Sequence, residues 1–229
     1  MIKHLYVNGC SFVRDTMVPD HEHFVNLIAQ QYGWSHTNAG WPGSCNRRII
    51  RNTLKHSLEF DHTTQVVVSL SFLSRTEINV YDNWDPADPR MSDEDWFQGI
   101  KAEHTSDQFR DYREAWIRNF NDYGQAVDLA TDVLMLTSHL KSRNIPYLIY
   151  SYHPGLISYR LKPILKSHTI FRALGQDPRV IDLFEDSLCE RLSAGNWWYD
   201  YTDGHLDSRG HAHAADVLVK LINSPDQGN

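Results

Sequence analysis

The sequence predicts an α/β fold: a three-layer α/β/α sandwich around a mostly parallel central sheet of about five strands. Three observations carry this. Short apolar runs alternate with segments of helical periodicity in the order β-α-β-α-β-(insert)-α-β-α-α, and such alternation builds a parallel sheet with helices on both faces. Gln65 to Leu70 is a near-continuous, valine-rich run, which suits a strand buried on both faces. Loops follow the strand runs at 8–14, 38–46, 70–77 and 151–155, the second of them rich in turn residues. In an open sheet of this kind, the carboxyl edge of the strands is where ligands collect.

The first strand runs through Leu5, Tyr6 and Val7 and breaks at Asn8-Gly9. Phe24, Leu27, Ile28 and Tyr32 have helical spacing, with Gly33 as the stop. A short extended piece follows near Trp34–Thr37, then the loop Asn38-Ala39-Gly40-Trp41-Pro42-Gly43-Ser44-Cys45-Asn46. Arg47 to Leu58 reads as a helix with Ile50, Leu54 and Leu58 on one face, capped by Asn46 or Ser44. Residues 79–112 are acidic, Pro-containing and Trp-bearing, and read as an insertion over one sheet edge. Tyr112 to Arg143 reads as one long helix, and Tyr147–Tyr150 as the next strand. Tyr159 to His168 and Pro178 to Leu192 read as helices, the second with its proline in the first turn. Ser208 to Ile222 closes the chain as an amphipathic helix.

The chain has 229 residues, which suits one domain with a core of its own, spanning 1–229 with the insertion at about 79–112. A formal net charge of -7 disfavours a nucleic-acid partner bound through a basic face. Cys10, Cys45 and Cys189 leave one thiol over and form no CxxC, a pattern of reducing compartments rather than of a disulfide scaffold or cysteine zinc site. No apolar run approaches the ~20 residues of a membrane span, and the opening residues lack the charge and apolar blocks of a secretion signal. The expectation is a cytoplasmic protein with no membrane partner. The oligomeric state is left open.

The chemistry concentrates at two ends of the chain. Ser11 lies just past the first strand, where it is either a nucleophile or a turn or cap residue. Before the last helix stands Tyr201-Thr202-Asp203-Gly204-His205-Leu206. Acyl transfer at neutral pH needs a nucleophile activated by a base. A histidine oriented by a carboxylate serves, because the acid fixes the tautomer and stabilises the cation. Asp203 and His205 can do this from one loop, although an Asp-Gly turn beside an exposed histidine is the plain alternative. Cys10 is a second candidate nucleophile. Arg75 and Glu77 follow the third strand and either bind a polar substrate or pair with another charge. Arg47, Arg48 and Arg51 either meet an anion or form a solvated face. His153 lies on a site-edge loop, where it can line a pocket. It has no second ligand at metal spacing, so no metal and no cofactor are expected.

Taken together, these blocks resemble the SGNH (GDSL-like) hydrolase superfamily, whose fold is flavodoxin-like. Gly9-Cys10-Ser11-Phe12 is similar to its first block, with Cys10 where Asp is usual. Asn38-Ala39-Gly40-Trp41-Pro42-Gly43-Ser44 is similar to the second block, with Gly43 at the glycine that lends its N–H to the oxyanion hole. Asp203-Gly204-His205-Leu206, followed by Gly210-His211, is similar to the fifth block. Gly-Cys-Ser-Phe with Gly-Ser-x-Asn-Arg most resembles divergent members from tailed bacteriophages, which would place the protein in a host cytoplasm or a virion.

The resemblance implies a serine esterase or O-deacetylase in which Ser11 attacks, His205 accepts the proton and Asp203 orients it. Two departures stand out. The third block, normally Gly-x-Asn, is replaced by Ser69-Leu70-Ser71, so one oxyanion donor is missing and Asn46 or the Ser71 hydroxyl is the available substitute. The acid stands at Asp-x-His rather than Asp-x-x-His, with Asp200 in reserve. Loss of one oxyanion donor typically costs ~10²–10³ in rate, so the alternative is a catalytically impaired binding or virion-associated module on the same scaffold. The expected substrate is a small-molecule or carbohydrate ester, with Arg75 and His153 as substrate-binding candidates. The Trp-bearing insert favours an acetylated carbohydrate over a long acyl chain.

Overall fold

A computed structural model of the chain describes residues 1–14, 17–79, 97–101, 110–153, 160–184, 186–192 and 205–224. The strands are β1 His4–Asn8, β2 Ser35–Asn38, β3 Thr64–Leu70, β4 Arg75–Asn79, β5 Phe97–Lys101 and β6 Tyr147–Ser151. The helices are α1 Phe24–Tyr32, α2 Asn46–Ser57, α3 Arg110–Asn119, α4 Asp122–Ser142, α5 Lys162–Ser167, α6 Thr169–Gly175, α7 Leu188–Leu192 and α8 Ser208–Asn223.

Four strands form the central sheet in the order β2-β1-β3-β6, and every pairing is parallel. Alternation along each strand sends side chains to opposite faces. Leu5 and Val7 of β1, Val67 of β3, and Leu148 and Tyr150 of β6 meet α1 and α8 through Val25, Ile28, Leu218 and Ile222. Tyr6, Val66, Val68 and Ile149 face the other way, onto Ile49 and Ile50 of α2 and Ala130, Val133 and Leu136 of α4. All seven residues of β3 are buried, as its apolar run requires. Two cores separated by one sheet make the three layers the sequence predicts.

Two helices depart from the sequence reading. The single helix expected over Tyr112–Arg143 is broken at Phe120–Asn121, because the Asn121 side chain accepts from the N–H groups of Tyr123 and Gly124 and starts α4. The helix expected over Pro178–Leu192 is confined to its last turn, α7. Its leading part carries turns at 178–179 and 183–184 and meets β6 through two isolated parallel bridges, Ile149–Val180 and Ser151–Ser187. The Ile149 N–H donates to the Arg179 carbonyl and the Ile181 N–H to Ile149. A free sheet edge thus captures a segment whose apolar spacing also suited a helix. The central sheet therefore has four strands, with this segment bridged to its β6 edge.

The excursion starts earlier than expected. β4 and β5 pair antiparallel outside the central sheet, so the departure begins at Arg75, while 80–96 and 102–109 lie outside the described residues. Among the described residues, no helix is long and apolar enough to cross a membrane.

Candidate active site

Ser11 sits where β1 ends. Backbone pairing continues past the strand: the Ala39 N–H donates to the Val7 carbonyl and the Trp41 N–H to Gly9. The loops after β1 and β2 are therefore joined edge to edge. The N–H groups of Val13 and Arg14 both donate to the Cys10 carbonyl, at 3.0 and 3.1 Å. They wind residues 10–14 into one turn with half-exposed Ser11 on it. Asn38 ties this turn to the second loop by donating to the Val13 carbonyl at 2.7 Å. Asn8 anchors it from below, donating to the Ile49 carbonyl and the Thr53 hydroxyl. Cys10 is fully buried, which removes it from competition with Ser11.

Gly9 is required by close approach. A Cβ there would stand 2.4 Å from Val13 Cγ2 and 3.0 Å from Ser69 Cβ. Gly9→Ala is expected to destabilise the protein by about 1–3 kcal/mol, the usual cost of overpacking, and to displace the Ser11 turn. Chemical denaturation together with ester turnover measures both effects. In the second loop, Pro42 and Gly43 occupy the centre of a turn closed by the Ser44 N–H on the Trp41 carbonyl. Gly43 has φ +79°, the signature of a type II turn.

Asn46 does not cap α2. Cys45 holds the N-cap position, without a side-chain cap bond. Instead Asn46 Oδ1 accepts from the Ser71 N–H at 2.6 Å, and its Nδ2 donates to the Ser71 carbonyl at 2.9 Å. The amide thus holds the loop after β3 against α2, so Asn46 positions Ser71 with one of its two Nδ2 hydrogens and keeps the second to donate. The Ser71 hydroxyl accepts from Arg75 Nη1 at 2.8 Å, which leaves its own hydrogen to donate.

The far ends of the chain meet through aromatic rings. Phe12 packs on His205 with ring centroids 4.8 Å apart, stacks on Tyr152 at 4.1 Å and meets His153 edge-on at 4.5 Å. Phe72 stacks on His153 at 4.3 Å and carries the Arg75 guanidinium on its other contact, at 4.9 Å. Phe12, Phe72 and Tyr152 were not singled out in the sequence. Their common signal is an aromatic residue beside the polar one in each site loop: Ser11-Phe12, Ser71-Phe72 and Tyr152-His153.

His153 is enclosed by these rings. Burial pushes its imidazole down to about 4, with Arg75 and His205 acting in the same direction. It is therefore a neutral group at physiological pH. Because the folded value lies below the unfolded one near 6.5, the unfolded chain binds the extra proton between these values. Stability contributed here is present above about pH 6.5 and is lost as pH falls toward 4. His153→Gln is expected to lose about 1–2 kcal/mol less than the parent between pH 7 and pH 4.5, after allowance for solvent screening. Urea unfolding at the two pH values reads the difference.

Of the other charged candidates, Glu77 pairs with Arg51 in a two-bond contact, so that residue serves the ion pair. Arg48 is buried over Trp41, 5.4 Å from its ring centroid, while Arg47 is exposed. Asp207, two positions after His205 in the sequence, serves α8: it accepts from the Gly210 N–H and pairs with Arg209. Asp203 and Asp200 lie outside the described residues. The ring contacts thus join the loops of Ser11, Ser71, His153 and His205, with Arg75 at the head of β4 against Phe72, while Gly43 stands in the loop after β2 that bonds edge to edge with the Ser11 loop.

No family model and no curated protein matches the sequence. Solved structures share its fold. A member of the lipolytic protein G-D-S-L family from Veillonella parvula aligns at TM-score 0.53 and 12% identity, covering 95% of this chain and 97% of that one. The psychrotrophic esterase EstA from Pseudoalteromonas sp., in a structure inhibited by monoethylphosphonate, aligns at 0.54 and 12%, covering 96% of each. A catalytic mutant of Axe2, an acetylxylan esterase from Geobacillus stearothermophilus, aligns at 0.51 and 12%, covering 96% and 94%. The chain has the fold of the SGNH/GDSL hydrolases, over nearly its whole length.

Proposed function

We propose that the protein is a serine ester hydrolase of the SGNH type. The observation that carries this reading is the meeting of the Ser11 turn with His205: the residue after Ser11 packs against that imidazole at 4.8 Å, although 194 positions separate Ser11 from His205 in the chain. In the proposed reaction the Ser11 Oγ bonds to the ester carbonyl carbon as its proton passes to His205. The carbonyl electron pair moves to oxygen, where the Ser11 and Gly43 N–H groups and the Ser71 hydroxyl receive it. The C–O bond to the alcohol breaks and the imidazolium returns its proton to that leaving oxygen. Water then repeats the sequence on the acyl-serine, releasing a carboxylate and restoring Ser11. Asp203 holds the imidazole in its tautomer. No cofactor enters these steps.

The site suits a short acyl group. Phe12, Phe72, Tyr152 and His153 form a packed ring cluster that starts at the residue after Ser11 and leaves little room for a long chain in this reading. Turnover of p-nitrophenyl acetate, butyrate and octanoate tests the proposal. The account expects saturable hydrolysis that falls with chain length. Absence of turnover on all three in folded protein favours the second reading, a binding module on the same scaffold. What supports that reading is the Ser69-Leu70-Ser71 stretch, where the usual third donor is missing and one of the two Asn46 Nδ2 hydrogens is taken by the Ser71 carbonyl.

A further inference from the structure

Behind the loop that carries Ser71 lies a cavity of about 320 Å³. It is walled by the start of α2, the loop after β3, α3 and the first half of α4. It adjoins the candidate site through two shared residues. Asn46 lines it and bonds the Ser71 backbone, and Arg75 lines it and donates to the Ser71 hydroxyl.

Its lining is polar and open to solvent, with Arg47 and Asp128 exposed and Gln125 and Asp132 half-buried. Gln125, Asp128 and Asp132 project from successive turns of α4 at i, i+3 and i+7, one face of a helix. Among the described residues, none of these three side chains has a hydrogen-bond partner. Arg47 and Thr76 supply donors from the opposite wall, and Trp116 supplies an aromatic face. Burial raises the Asp132 carboxyl above its ordinary value, against Arg47 and with Asp128. The half-buried carboxylate is therefore short of the donors that water would give it.

We infer that this cavity is a binding subsite for a neutral, polyhydroxylated ring, a sugar unit carrying the ester that Ser11 hydrolyses. Three features select that chemistry. The two carboxylates face two guanidiniums, Arg47 and Arg75, so the lining is charge-balanced and does not select an ion. Acceptors and donors stand on opposite walls, as a ring with hydroxyls around its rim requires, each O–H both donating and accepting. Trp116 offers the one broad apolar surface, suited to the C–H face of such a ring. Apart from it, Leu73 and Leu129 are the apolar side chains of the lining, too few for a long acyl chain. The volume falls at the small end of ligand pockets (~300–1,000 Å³), room for one ring rather than an oligomer.

The catalytic part of this inference rests on the esterase reading of Ser11, and the binding part does not. Two measurements separate them. The first compares kcat/KM for xylose tetraacetate with that for p-nitrophenyl acetate. The parent protein is expected to prefer the sugar ester. Trp116→Ala and Asp132→Asn are each expected to lower that preference at least about tenfold, through KM for the sugar ester. The second titrates methyl β-xyloside into the protein and reads tryptophan fluorescence and NMR shifts. Saturable binding is expected, and Asp132→Asn, which leaves the indole in place, is expected to weaken it by about the same factor. Binding that is lost in the variants, in a protein that hydrolyses no ester, retains the subsite and overturns the esterase reading. Ester hydrolysis with neither sugar preference nor sensitivity to these substitutions, in variants that keep the parent circular dichroism, overturns the subsite.

Discussion

Ser11→Ala is expected to abolish ester turnover, lowering kcat about 10³-fold or more, because a nucleophile's removal eliminates the covalent path and leaves only binding and the oxyanion donors. The fold should tolerate the change. Ser11 is half-exposed, and the turn that bears it is closed by backbone bonds of Val13 and Arg14 to Cys10. A stability change within about 0.5 kcal/mol is the ordinary outcome at such a position. Kinetics on p-nitrophenyl acetate beside a thermal melt checks both halves. A variant that keeps most of its turnover would remove Ser11 from the chemistry. The companion Cys10→Ser should keep its turnover, since Cys10 is fully buried.

Asn46→Ala carries the largest expected loss of stability. It strips two partners at once from the backbone of Ser71, which is itself 2% exposed. An orphaned buried polar group costs about 1–3 kcal/mol, so a total of about 2–4 kcal/mol follows. For a chain of this size that corresponds to a fall of roughly 5–12 °C in Tm. Asn46→Asp keeps the acceptor for the Ser71 N–H and loses the donor to its carbonyl, so a smaller loss is expected. Activity should fall with both, because the Ser71 hydroxyl loses its placement beside the site. A variant with the parent Tm would show that the Ser71 loop is held by other contacts.

Much of the architecture can be read from the chain because it rests on local periodicity. The valine run of β3 and the alternation of α1, α2, α4 and α8 with strands announce a parallel sheet before any contact is known. What could not be read rests on competition between local and distant partners. The stretch after Pro178 has apolar spacing that fits a helix, yet Val180 and Ser187 bridge to the open edge of β6. The break at Asn121 turns on one side chain choosing two backbone N–H groups over a continuous helix. At the candidate site, Ser11, Gly43 and His205 stand out in the sequence as motif residues, and their roles await the tests above. Asn46 was legible as a polar residue of the right loop, but its pairing with Ser71 spans 25 positions and leaves no local mark. The cluster of Phe12, Phe72, Tyr152 and His153 is likewise visible only after three strand ends are brought side by side.

The most direct test of the central claim is covalent. The folded protein is treated with a fluorophosphonate, digested, and the modified peptide is mapped by mass spectrometry. One adduct is expected, on Ser11, absent from Ser11→Ala and reduced in His205→Ala, since the imidazole activates the hydroxyl. An adduct on another residue, or none at all in protein that melts cooperatively, would contradict it.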